Sequence, residues 1–220
     1  MESALMVDRR VGSLPAPLAT VVFHYDQENG SRPCEAAYLS ELKEGGMQGV
    51  KDVVVLVSPN NWEQRRGVYA HLEHVRVEPL RIAESDLNAP RMLSMMGVDG
   101  SEVIPLYLHR ALSILRDTPS DTFTYKGFRH QLEREAFNTT QSNMLQIRLE
   151  LLESFLRGIG PDISSFLRPG KLVIIDLSDP FVDGTTAAML FDICLGLFIG
   201  RDGLKGKLIG KTPHYRPPQG

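Results

Sequence analysis

The sequence predicts an α/β fold built on a mostly parallel sheet with a helical insert, and three observations carry that expectation. Residues 172–175 (LVII) and 52–58 (DVVVLVS) are uninterrupted apolar runs of strand length, rich in β-branched residues, as strands covered on both faces require. Each run is halted by Pro59 or by the turn Asp176-Leu-Ser-Asp-Pro180, because proline has no N–H for a sheet ladder, and a helical pattern follows each. Between them lies a block of about seventy residues with helical spacing, which interrupts the strand–helix alternation.

Taken in order, residues 1–7 read as the tail of a helix with no capping residue ahead of it. Gly12, Pro15 and Pro17 make a turn-rich connection into a strand at 18–25 (LATVVFHY), which ends at Asp26. Pro33 suits a first helical turn, so 34–42 is expected to be helical until Gly45, Gly46 and Gly49 stop it. After the strand at 52–58, Asn60 or Asn61 can cap a helix over 62–72. Residues 74–82 (HVRVEPLRI) alternate and tolerate Pro79, the pattern of an edge strand beginning at His74. Helices are then expected over 86–96, capped by Ser85, and over 103–116, 125–135 and 140–156. The last has the clearest stripe, Leu145, Leu149, Leu152 and Phe155/Leu156. After Leu172–Asp176, Thr185 or Asp183 caps a helix that is apolar at almost every position from 187 to 198, and so expected to be buried all round. The tail from 207, with Pro217-Pro218 and a final glycine, is expected to be disordered. The organisation read from this is a first part of the α/β core at 1–82, a helical insert at 83–160, a second part of the core at 161–206 and the tail at 207–220.

A chain of 220 residues buries enough surface to fold without disulfides or metal. A net charge of −3 argues against a polyelectrolyte binder of nucleic acid, although a local basic patch of Arg65, Arg66 and Arg76 stays open. Cys34 and Cys194 are far apart with no CxxC, so both read as reduced thiols in an intracellular protein, cytoplasmic or nuclear. The longest apolar stretch, 187–199, is broken by Asp192 and too short to cross a bilayer, so no membrane partner is expected.

No GxxxxGK[ST] or GxGxxG pattern occurs; Gly203-Leu-Lys-Gly-Lys207 lacks the spacing and the Ser/Thr. The six histidines do not converge, and His71 and His74 lack a carboxylate or thiol cluster, so no metal site is expected. Asp26 and Asp176 are the candidates for nucleotide binding: both terminate apolar strands, and in a parallel sheet both fall on the edge where ligands bind. The alternative, that each caps its own turn, stands equally. Arg65-Arg66 reads as a solvated helix face, and Trp62 as packing or a stacking platform. No catalytic residue is assigned.

The turn Ile174-Ile-Asp-Leu-Ser178, with an apolar helix ending in Leu197-Phe198, resembles the HerA/FtsK-type P-loop ATPases, where a strand ending in IDLS precedes the Walker B strand. More narrowly, the chain resembles a group of fungal P-loop ATPases of that class, through residues 33–39 (PCEAAYL), 55–60 (VLVSPN), 85–88 (SDLN) and 151–155 (LLESF), in that order. The resemblance implies a RecA-like sheet, ATP with Mg²⁺ as cofactors, and a homo-oligomeric, helicase-like ring that moves DNA or protein. It also implies a truncated, incomplete core. The Walker A loop belongs just before Glu2, and Gly210-Lys-Thr-Pro stands where the Walker B run and its Asp-Glu belong. The expected function is a piece of such a hydrolase that does not hydrolyse ATP by itself; the alternative is a non-catalytic α/β protein-interaction module.

Overall fold

The computed structural model describes residues 5, 14–27, 31–41, 49–89, 91–92, 105–119, 122–156 and 163–200. Strands β1 (Thr20–His24), β2 (Val53–Val57), β3 (Val75–Pro79) and β4 (Leu172–Asp176) form one sheet in the order β1-β4-β2-β3, with every neighbouring pair parallel. The chain is thus an α/β protein with an all-parallel sheet, and β4 lies in the interior of the described strands. Ile174 of β4 stands opposite Val22 on one side and Val55 on the other.

Period-two alternation sends each apolar run to two cores. Val53, Val55, Val57, Leu172 and Ile174 face Cys34, Ala37, Tyr69 and Leu72. Val54, Leu56, Val173 and Ile175 face the insert and the last helix. A strand with helices on both faces has no solvated side, which is why these runs do not alternate in polarity. The 3₁₀ turn Glu35–Ser40 and helix α1 (Trp62–Tyr69) cover the first face. Helices α2 (Leu106–Asp117), α3 (Tyr125–Glu133), α4 (Thr139–Leu156) and α5 (Gly184–Gly200) belong to the second. The insert shares that core with the sheet: Leu112, Phe128, Leu149 and Phe155 join one cluster with Val173 and Ile175.

Several local expectations change. Residues 35–40 form a 3₁₀ turn rather than an α-helix. The returning chain presses on it, for Val50 N–H donates to Leu39 O at 2.8 Å and a Cβ on Gly49 would meet Ser40 O at 2.5 Å. Helix α1 ends at Tyr69, and His74 does not begin a strand but turns into β3 with a left-handed φ of 62°. Asn88, not Ser85, caps the next helical turn, its Oδ1 accepting Arg91 N–H at 2.9 Å. Asp183, one of two candidates, caps α5 by accepting Thr186 N–H at 2.7 Å, and that bond holds its carboxyl below the usual range. Helix α5 is not buried all round, since Leu195 and Ile199 are exposed. The expectations for residues 1–4, 6–13, 93–104, 157–162 and the tail at 207–220 lie outside the described residues.

β3 is an edge strand, as its alternation indicates. Leu80 N–H bonds inward to Val57 O, so by alternation the imide nitrogen of Pro79 points outward, where no donor is needed. The outward carbonyl of Val77 accepts the Trp62 indole N–H at 3.2 Å. The stripe on α4 gives the first test: Leu149→Ala, at a fully buried position, should lower unfolding free energy by about 3 kcal/mol. Ile147→Ala, at a position 67% exposed, should change it by less than about 0.5 kcal/mol, both read by urea denaturation.

Candidate functional site

The carboxyl ends of β1, β4 and β2 meet at one edge, and both aspartates singled out in the sequence lie there. His24 and Asp176 are register partners, so Asp26 follows two residues beyond that level on the neighbouring strand. The two loop ends are joined: Asp26 N–H donates to Ser178 Oγ at 3.0 Å, and Tyr25 Oη donates to Val182 O at 2.9 Å. On the β2 side, Asn61 Nδ2 donates to Ser178 O at 3.1 Å.

Asp176 itself turns into the first core rather than out to the edge. Its Oδ2 accepts hydrogen bonds from the Arg65 guanidinium and, at 2.6 Å, from Tyr69 Oη, while Oδ1 accepts Ser178 N–H at 3.0 Å. Arg65 and Tyr69 are one helical turn apart on α1, and both are about 1% exposed. Arg65 also donates to Arg32 O at 3.1 Å, and Cys34 N–H donates to Tyr69 Oη at 2.9 Å. Three segments distant in sequence are therefore fastened at one buried point: β4, α1 and the loop that follows β1.

This corrects the reading of Arg65 as a solvated residue. A helix face carrying Gln64, Arg65 and Arg66 reads as polar, yet Arg65 is buried while Gln64 and Arg66 are exposed, the Arg66 guanidinium 5.6 Å from the Trp62 ring centroid. Burial of Arg65 removes it from the basic trio considered for nucleic acid, and Arg76 lies 3.4 Å from Glu78. Arg65, Tyr69, Ser178 and Asn61 were missed by sequence reasoning. The available signal was Asp176: a carboxylate closing a fully apolar strand needs a buried cation or donors.

The Tyr69 phenol is pushed above its ordinary pKa, first by burial and then by the neighbouring carboxylate. Burial also raises both thiols, that of Cys194 up to about 12, so both are unreactive side chains of the core.

The Mg-ATP that the resemblance implies can be set against these donors. Both Asp176 oxygens are engaged, and among the described residues no group of three His, Cys, Asp or Glu could hold a metal ion. Among the described residues, the buried acceptors left over at this edge are Asp179 Oδ2 and Ser58 Oγ, one carboxylate and one hydroxyl. With no GxxxxGK[ST] in the sequence to cradle phosphates, the residues present do not fit a Mg²⁺–triphosphate. Comparison with protein-family models, curated proteins and solved structures finds no match. No helix among the described residues is long and apolar enough to cross a membrane.

Two tests follow from the buried cluster. Arg65→Met should cost about 3–5 kcal/mol by stranding Asp176, whereas adding Asp176→Leu should restore part of the loss, because a buried pair is cheaper to replace than to break. Tyr69→Phe should cost about 1–2 kcal/mol. A raised phenol pKa contributes its full stability below the unfolded value of about 10 and loses it as pH rises further. Denaturation midpoints should therefore fall more steeply above that pH in the wild type than in Tyr69→Phe.

Proposed function

We propose that the chain is part of the α/β core of a P-loop ATPase of the HerA/FtsK-like class, and that it does not hydrolyse ATP by itself. Support comes from the IDLS turn closing β4, from the ordered set of short matching segments, and from an all-parallel sheet whose carboxyl edge carries Asp26 and Asp176. The observation that carries the second clause is the Arg65–Asp176–Tyr69 cluster, which takes up the strand-end carboxylate. Asp176 then stands beside a nucleotide site and shapes its floor, without reaching a metal ion. Phosphoryl transfer depends on a lysine, a backbone nest and a positioned Mg²⁺ to stabilise charge on the transferring group. On this reading those parts are supplied by residues other than these, and the compartment is the cytoplasm or nucleus.

A second reading is a non-catalytic interaction module. It is favoured by large apolar side chains left on the outer faces of helices: Met144 and Ile147 on α4, Leu195 and Ile199 on α5.

Isothermal calorimetry of the purified chain with Mg-ATP tests the second clause. The proposal expects no saturable heat at micromolar nucleotide, and a micromolar dissociation constant would sink it.

A further inference from the structure

We propose that the outer edge of β1 is a self-association surface, on which a second copy of this chain pairs its own β1 antiparallel about a two-fold axis. The argument begins with the backbone. Thr20 N–H and the carbonyls of Leu18 and His24 bond toward the β4 side of the strand. By alternation the N–H and C=O groups of Ala19, Val21 and Phe23 point away from the sheet, and among the described residues β1 pairs only with β4.

The two edges of the sheet are built differently. β3 carries Arg76, Glu78 and Pro79, and Trp62 covers its outward Val77 carbonyl. These are the devices that stop edge strands from pairing. β1 has none of them: residues 18–23 read LATVVF, without charge or proline. A half-buried apolar strand whose outer ladder has no partner among the described residues is a template for another strand.

Helix α5 continues the same surface. Phe191 packs on Phe23 with ring centroids 5.1 Å apart, and Leu195 and Ile199 follow at helical spacing, 43% and 53% exposed. The helix returns along the sheet after β4. Roughly 1.5 Å of rise per helical residue against about 3.3 Å per strand residue brings Ile199 to the level of Ala19 or Thr20. Leu18 is itself 51% exposed. The bare ladder and the apolar helix stripe thus flank one another.

The surface is self-complementary. Centred on Val22, an antiparallel pair sets Val21 against Phe23 of the partner subunit and brings no charged residues of the strands face to face. Such an isologous contact closes at two copies. The exposed side of α5 carries Asp192, and the Arg91 guanidinium sits beside Gly196 one helical turn on, so the helix brings both signs of charge to this region.

Sedimentation of the full chain across the micromolar range tests this. The expected result is a species of twice the 24.5 kDa chain mass, shifted at least roughly tenfold toward monomer by Leu195→Glu/Ile199→Glu, whose positions lie outside the core. A chain that stays monomeric, or a dimer that this variant leaves intact, overturns the proposal. Amide exchange on the wild type reads the same edge without any variant. Protection of Val21 and Phe23 that rises with concentration supports pairing between copies. Protection independent of concentration assigns the edge to another segment of the same chain, and no protection leaves it bare; either result overturns the proposal.

Discussion

The buried meeting of Arg65, Tyr69 and Asp176 is the constraint on which the rest of this structure depends. A carboxylate at the end of an apolar strand has lost its water, and an isolated buried charge is far too costly to keep. Here a guanidinium and a phenol from α1 and a backbone N–H from the turn after β4 replace that water together. The geometry fixes more than one side chain. It sets where α1 lies over β4, and through Arg32 O and Cys34 N–H it holds the loop leaving β1. Buried pairs of this kind specify an arrangement more than they add stability, since well-packed apolar residues could fill the same volume.

The same cluster shapes what the carboxyl edge can do. In open parallel sheets ligands gather where strand ends and loops diverge, and this edge has that form. Its polar groups, however, are largely turned toward one another: Asp26 N–H to Ser178, Asn61 to Ser178 O, Ser178 N–H to Asp176. The edge is stitched together as a scaffold. What the described residues leave available is lateral, on the β1 ladder and on the apolar outer faces of α4 and α5.

Much of this fold was legible in the sequence, for definable reasons. The runs VVVLV and LVIID announce interior strands because burial on both faces removes any need for polar residues. The stripe Leu145, Leu149, Leu152, Phe155 announces α4 because one face meets the core. Arg65 was illegible because charge pattern on a short helix does not say which side faces inward; that is decided by an aspartate 111 residues away. The 3₁₀ turn at 35–40 was read as an α-helix because the close return of Gly49 is a tertiary fact. The sequence order of strands also hid that β4 pairs with both β1 and β2, since pairing order is set by crossovers and not by local pattern.

The central claim is that Asp176 is a structural partner of Arg65 and not a ligand of a nucleotide-bound metal. Paramagnetic relaxation tests it most directly: Mn²⁺ with ATP is titrated into the isotopically labelled chain while the amide resonances of Leu177 and Ser178 are followed. The account predicts that both keep their linewidths while any surface sites broaden. Selective broadening of these two at micromolar Mn-ATP would contradict it.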